Sequence, residues 1–310
     1  MRALFEAWAK PHYLYRPVQL LRRIARGLAR PGAREIVALP WGLDLIVDPR
    51  EAIGSALWHL GVFDLALTET LWRLLEPGDL ALDVGANIGY TTGLMALRVG
   101  STGRVLAFEP HPAVHAQLVA NAERARRNPR CGEIRTFETA LGAVTGVARL
   151  APGSYFADNN GIARLTDEPD VEAIEVALTT LDEALGDGRA ALVKIDVEGE
   201  ELRVLRGAAR ALGERRIRHL VFESYPAELP GVAAWLGERG YSLFGLGMRW
   251  SGLLLSRPGE EPRLPPYEAP NYLATLDPVT AASQLRGRGW QALRGDPGRA
   301  RPHALPRQRG

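Results

Sequence analysis

Asp83-Val84-Gly85-Ala86-Asn87-Ile88-Gly89 ends one apolar run and begins another. Before it, Leu80–Val84 reads as a strand. After it, Tyr90–Val99 reads as a helix. Small residues at such a junction let the backbone pass close beneath a ligand. The helix start beyond Gly89 adds N–H groups and a partial positive charge, which suit a carboxylate or phosphate. A tight turn without a ligand is the alternative that Gly-x-x-x-Gly alone leaves open.

The same strand–helix alternation runs outward from this loop. Arg104–Phe108 reads as a second strand, followed by a helix over Pro112–Arg127. Glu133–Glu138 is the third strand and Leu192–Val197 the fourth, with a helix over Glu200–Leu212. Leu220–Glu223 is the fifth, with a helix near Val232–Arg239. Tyr241–Leu246, then Tyr272–Ala274 or Gly252–Leu255, completes the sheet. The pattern predicts a doubly wound, Rossmann-like α/β domain whose sheet is parallel and covered on both faces. Upstream, Ile36–Val47 reads as a hairpin around Pro40-Trp41-Gly42, and residues 51–76 as helical until Pro77-Gly78. About fifty residues between the third and fourth strands form an insertion, with alternating stretches at Val147–Leu150 and Ala173–Leu178. Insertions there often act as lids or substrate-binding elements.

The second strand ends in Glu109, twenty residues past Gly89. An acid at this place in a doubly wound sheet accepts hydrogen bonds from ribose hydroxyls. Loop, helix and acid together predict a nucleoside site. A dinucleotide site needs Gly-x-Gly-x-x-Gly, but Asn87 holds the middle glycine position. The strand also delivers Asp83 into the loop, where an acid suits an amino group and repels a pyrophosphate. Both features favour S-adenosylmethionine over a nicotinamide cofactor.

Lys194-Ile195-Asp196-Val197-Glu198-Gly199-Glu200-Glu201 ends the fourth strand. With strand order 3-2-1-4-5 it lies beside the first strand at the switch point, and Asp196 faces the reactive end of the cofactor. Glu223 ends the adjacent fifth strand, so Asp196 and Glu223 are the candidate acid–base pair. Helix capping and dipole pairing account better for Glu200 and Glu201. Asp196, Glu198 and Glu223 are oxygen donors of the kind Mg²⁺ takes, but one carboxylate cluster is thin support and no metal is predicted.

These motifs resemble the FkbM-type methyltransferases. The likeness covers roughly residues 79–245. It rests on Asp83–Thr92 (DVGANIGYTT), Phe108–Pro112 (FEPHP), Ala140-Leu141-Gly142, Thr179–Asp182 (TTLD), Lys194–Glu201 (KIDVEGEE), Leu205–Ala208 (LRGA) and Val221–Ser224 (VFES). The resemblance implies a class I methyltransferase fold, S-adenosylmethionine, and O-methylation of sugars or polyketide-type compounds. By that likeness Asp83, Gly85, Asn87 and Gly89 hold the methionine end, Glu109 the ribose, and the turn at Ala140 lies near adenine. Asn159 and Asn160, in the polar loop of the insertion, become candidate acceptor contacts.

Charge divides the chain in three. Residues 1–35 and 283–310 each carry a net +6, and the whole is +2, so residues 36–282 sum to about −10. An acidic body argues against nucleic acid as substrate, and no Pro-Pro-Tyr/Phe run follows the fourth strand to stack a flipped base. Residues 1–35 read as a basic helical preface, 36–282 as the methyltransferase domain and 283–310 as a disordered tail. Within the preface, residues 17–29 alternate apolar and arginine faces. A helix packed on the domain is the favoured reading, and peripheral contact with anionic membrane the other. The single cysteine, Cys131, allows no intrachain disulfide, and a reducing cytoplasmic setting fits. A nicotinamide-dependent oxidoreductase, or a non-catalytic relative in a glycan pathway, are the competing functions.

Overall fold

The computed structural model describes residues 21, 24–26, 32–151, 164–165, 173–258, 260 and 270–295. A hairpin of β1 (Glu35–Ala38) and β2 (Asp44–Val47) precedes helices α1 (Ala52–Leu60) and α2 (Leu65–Leu74). One helix over 51–76 was expected. Two form because Gly61 caps α1 in the left-handed conformation at φ 76°, and Asp64 starts α2 by accepting the Leu67 N–H at 2.9 Å.

The central sheet contains β3 (Leu80–Val84), β4 (Arg104–Phe108), β5 (Glu133–Phe137), β10 (Ala190–Ile195) and β11 (Ile217–Glu223), all parallel. Their order is β5-β4-β3-β10-β11, the expected 3-2-1-4-5 arrangement. Beyond β11 the sheet adds β14 (Asn271–Thr275), β12 (Ser242–Arg249) and β13 (Gly252–Ser256) by antiparallel pairing, so both candidate closing segments join it. Helices α3 (Tyr90–Val99) and α4 (Pro112–Arg126) follow β3 and β4. The helix expected over Glu200–Leu212 divides into α6 (Glu201–Arg206) and α7 (Ala209–Gly213), and α8 (Leu229–Gly237) follows β11. The division falls at Gly207, where a Cβ would lie 2.0 Å from the Gly142 carbonyl oxygen.

Period-two alternation assigns strand side chains to two layers. Ala81, Val105, Val221 and Leu273 pack with α2 and α3 in one core, whereas Leu82, Leu106, Val193 and Phe222 pack in the other with α6 to α8. The insertion builds a four-stranded sheet, β6 (Ala140–Leu141), β9 (Ile174–Thr179), β7 (Gly146–Ala151) and β8 (Arg164–Leu165), with α5 (Leu181–Leu185) after it. The alternating stretches expected there are β7 and β9, paired antiparallel.

Both ends differ from expectation. The disordered tail does not begin at 283. Residues 278–294 supply α9 (Pro278–Leu285) and α10 (Gln291–Arg294), and Trp290 is fully buried. The cause is a buried ion pair on α2. Glu69 accepts the N–H groups of Gln291 and Ala292 at 2.8 and 2.9 Å, and Arg73 donates to the Gly289 carbonyl at 2.8 Å. Three arginines and three glycines made 283–295 look solvated, but the fold has reserved partners for their backbone. Residues 296–310 lie outside the described residues. At the other end, the preface does not pack its apolar side on the domain at the described positions. Leu21 and Ile24 are exposed, while the Arg26 guanidinium lies 4.2 Å from the Trp58 ring centroid and bonds the Trp58 carbonyl. Among the described residues no helix is long and apolar enough to cross a membrane.

Candidate active site

All the chemistry gathers at the C-terminal edge of β3, β4, β10 and β11. Register explains why. Lys194 pairs with Asp83 and Val221, and Ile195 with Phe222. One step further along, Asp196 comes level with Glu223, and Glu223 is level with Asn271 of β14. Residues two apart on a strand share a face, so Asp83, Lys194, Asp196 and Glu223 all project toward the α2–α3 layer.

The two motifs meet at one point. The Asp196 N–H bonds the Val84 carbonyl at 3.1 Å. Gly85, at φ 73°, lies so close that a Cβ there would be 1.8 Å from the Asp196 carbonyl oxygen. Gly89, at φ 89°, is pressed against Leu118 of α4, and a Cβ would stand 2.8 Å from its Cδ1. Gly85 is therefore required by close approach of backbone as well as by dihedral angle, whereas Gly89 is required chiefly by its dihedral angle.

The loop satisfies its own N–H groups. Gly85 and Ala86 donate to the Phe108 carbonyl, Asn87 to Glu109, Ile88 to its neighbour's Oδ1 and Gly89 to the Ala86 carbonyl. It thus lacks the outward-facing donors that a pyrophosphate needs. Donors begin at α3, whose first helical bond runs from Gly93 to Gly89, so the Tyr90, Thr91 and Thr92 N–H groups have no intrahelical acceptor.

Glu109 sits just past β4 and is 8% exposed. Its two oxygens accept the Asn87 and His111 N–H groups at 3.0 Å each. Burial outweighs those bonds and pushes its carboxyl up to about 7. Each oxygen keeps a lone pair, the arrangement a vicinal diol engages. Beside it Phe137, partly exposed, stacks on Phe108 with centroids 4.8 Å apart.

Asp83 is placed differently from the direct ligand expected. It is fully buried, and its Oδ2 accepts from Thr91 at 2.8 Å and Thr92 at 2.6 Å. Its Oδ1 makes no hydrogen bond but lies 3.4 Å from Lys194 Nζ. Lys194 is the residue that motif reading passed over. Its ammonium also donates to the Gly85 carbonyl at 2.7 Å and lies 3.3 Å from Asp196 Oδ2. Burial alone would lower its pKa, but the Asp196 and Asp83 carboxylates reverse that and hold it above the usual value. A lysine inside the apolar run Ala190–Ile195 was the available signal, since lysine is almost never buried unless paired.

Asp196 is about one-third exposed at the mouth of the site. Glu223 ends the neighbouring strand beside it. Burial pushes the Glu223 carboxyl well above the usual range, and the Asp196, Glu198 and Glu201 carboxylates push it further. Glu198, at φ 55°, is raised to about 7 by burial and by Asp196. Glu201 is the buried brace expected of a first-turn acid, accepting from the Val197 N–H at 3.1 Å and the Gly199 N–H at 3.4 Å.

Ala140 is buried in β6, paired with Leu178 of β9. Asn159 and Asn160 lie outside the described residues. Among the described residues no group of three His, Cys, Asp or Glu is arranged to hold a metal ion.

A family model, the methyltransferase FkbM domain, matches residues 83–243. Hexuronic acid methyltransferase AglP of Haloferax volcanii is 30% identical over 160 residues, which cover 50% of this chain and 62% of that protein. The 31-O-demethyl-FK506 methyltransferase FkbM of Streptomyces tacrolimicus is 33% identical over 202 residues, 54% of this chain and 75% of that protein. A solved methyltransferase FkbM from Methylobacillus flagellatus aligns with a TM-score of 0.43 at 17% identity, over 68% of this chain and 55% of that one. The match thus spans under two thirds of AglP.

Proposed function

The chain belongs to the FkbM methyltransferase family, matching its domain over residues 83–243, and we propose from that premise that it transfers a methyl group from S-adenosylmethionine to a hydroxyl of a sugar or natural-product type acceptor. One observation carries the reading: the glycine loop and Asp196 are in backbone contact, so a cofactor on the loop and an acceptor at Asp196 are neighbours. The names of two relatives support the acceptor class. One specifies a hexuronic acid, and the other an O-demethyl compound whose oxygen receives the methyl.

The lining fits this cofactor better than a dinucleotide. Glu109 offers two carboxylate oxygens for a ribose diol, and the first turn of α3 offers N–H groups for a carboxylate. The acidic edge suits a cationic ligand and opposes a pyrophosphate. When bound, S-adenosylmethionine supplies an electrophilic methyl group on a sulfonium. The protein's part is to hold the acceptor oxygen in line with it, which removes much of the entropic barrier. Asp196 orients the acceptor hydroxyl and takes its proton as the oxygen attacks. Glu223, its own carboxyl raised by burial, stands at the end of the neighbouring strand in support. Asp83 acts through Thr91, Thr92 and Lys194 by fixing the start of α3 against the strand edge. Ala140 remains the proposed neighbour of adenine, with Asn159 and Asn160 as proposed acceptor contacts. For residues 17–29, the +6 charge of the first 35 residues and the exposure of Leu21 and Ile24 favour peripheral contact with an anionic membrane.

Isothermal titration with S-adenosylhomocysteine, NAD and NADP tests the cofactor. Micromolar binding of the first, lost in Glu109→Ala, is expected. Dinucleotide binding in its place would sink the proposal. Asp196→Asn should keep S-adenosylhomocysteine binding and slow methyl transfer to glucuronic acid or a macrolide alcohol about 10²–10⁴-fold. Wild-type turnover in that variant would remove Asp196 from the chemistry.

A further inference from the structure

Lysine carries three N–H donors and no acceptor. The Lys194 ammonium meets three oxygens from three places: Gly85 O on the glycine loop at 2.7 Å, Asp196 Oδ2 at 3.3 Å and Asp83 Oδ1 at 3.4 Å. One donor bonds the Gly85 carbonyl, the two carboxylate oxygens stand within ion-pair distance, and its side chain is 4% exposed. It has neither a free lone pair nor access to an acceptor, so it does not exchange protons with substrate.

The three partners have different jobs. Gly85 shapes the loop that carries the cofactor. Asp196 stands on the acceptor side of the site. Asp83 is the pedestal of α3, tied to Thr91 and Thr92. We propose that Lys194 is a positioning residue that locks the glycine loop to Asp196, setting the spacing between cofactor and acceptor in the methyl transfer inferred above. The inference rests on that reading of the site and adds a residue to it.

The bland alternative is that Lys194 only neutralises Asp83 in the core. Removing the lysine alone does not separate the two, because it leaves Asp83 buried and unpaired, which is destabilising on either account. Removing both charges does separate them, since replacing a buried pair with neutral groups is often close to neutral for stability. The informative set is therefore wild type, Asp83→Asn, Lys194→Met and the double variant. Each is measured for melting temperature and for S-adenosylhomocysteine affinity by calorimetry.

The double variant should regain most of the melting temperature lost in Lys194→Met. It should nevertheless bind S-adenosylhomocysteine at least tenfold more weakly than Asp83→Asn alone, because the Gly85 carbonyl has lost its anchor. Equal affinity in those two variants would overturn the proposal and leave Lys194 a counter-ion. A double variant that stays unstable and matches Asp83→Asn in affinity would overturn it too. If wild type itself fails to bind S-adenosylhomocysteine, the cofactor reading falls first and carries this one with it.

Discussion

Replacing Gly85 by alanine forces the loop to choose between two costs. At φ 73° an alanine sits in the left-handed region, which costs roughly 1–2 kcal/mol. Its Cβ would also lie 1.8 Å from the Asp196 carbonyl oxygen, a backbone atom that no side-chain rotation can move away. Gly42 supplies the control. It has φ 85° in the β1–β2 turn, and nothing within 4 Å of an added Cβ. Gly42→Ala should therefore show the dihedral cost alone, a fall in melting temperature of about 2–8 °C for a domain of this size. Gly85→Ala should lose at least twice as much. It should also lose S-adenosylhomocysteine binding, because relief of the clash must push the loop and Asp196 apart. Differential scanning fluorimetry and calorimetric titration on both variants read these quantities. If Gly85→Ala melted with Gly42→Ala and bound the ligand like wild type, the contact between the two motifs would be wrong, and with it the basis of the site.

Further outcomes follow from Glu109 and Trp290. Burial raises the Glu109 carboxyl from 4.5 to about 7 in the folded protein. Between those values the native state holds a proton that the unfolded chain has lost, so this group's contribution to stability falls as pH rises through that window. Ribose hydroxyls donate to the ionised form. S-adenosylhomocysteine should therefore bind more tightly from pH 6 to 8 and release close to one proton at pH 6, as read by calorimetry in buffers of different ionisation enthalpy. Zero release in wild type, or unchanged release in Glu109→Gln, would contradict the assignment. Trp290→Ala should cost about 3–5 kcal/mol, as for other fully buried aromatic side chains. Urea denaturation showing less than 1 kcal/mol would mean that residues 283–295 are dispensable to the fold.

Much of this architecture can be read from sequence because local and global signals agree. Leu80–Val84 is an apolar run bounded by Pro77-Gly78 and Gly85, and it is a strand with those bounds. The carboxylates at the strand ends come together because parallel strands in register bring their C-termini to one edge, so Asp196 and Glu223 could be paired from position alone. Lys194 escaped because its meaning depends on partners 109 and 111 positions away in Gly85 and Asp83. The break at Gly207 and the burial of Trp290 escaped for the same reason. Each is set by a contact with a distant part of the chain, and no local pattern records it. Asp83 was found as a site residue, but its threonine partners on α3 give it a supporting position behind the loop.

The Glu69–Arg73 pair has a consequence for how the protein is made. The two residues leave the ribosome with α2, but the N–H groups that Glu69 accepts belong to residues 222 and 223 positions later. At about 5–20 residues per second, roughly 10–45 seconds of synthesis separate the carboxylate from its partners. Through that interval the nascent chain carries a charged pair on a helix that is destined for the core, with its last backbone ligands missing. Final closure of the α2 layer thus waits for residues 289–292, more than two hundred positions after the helix they complete.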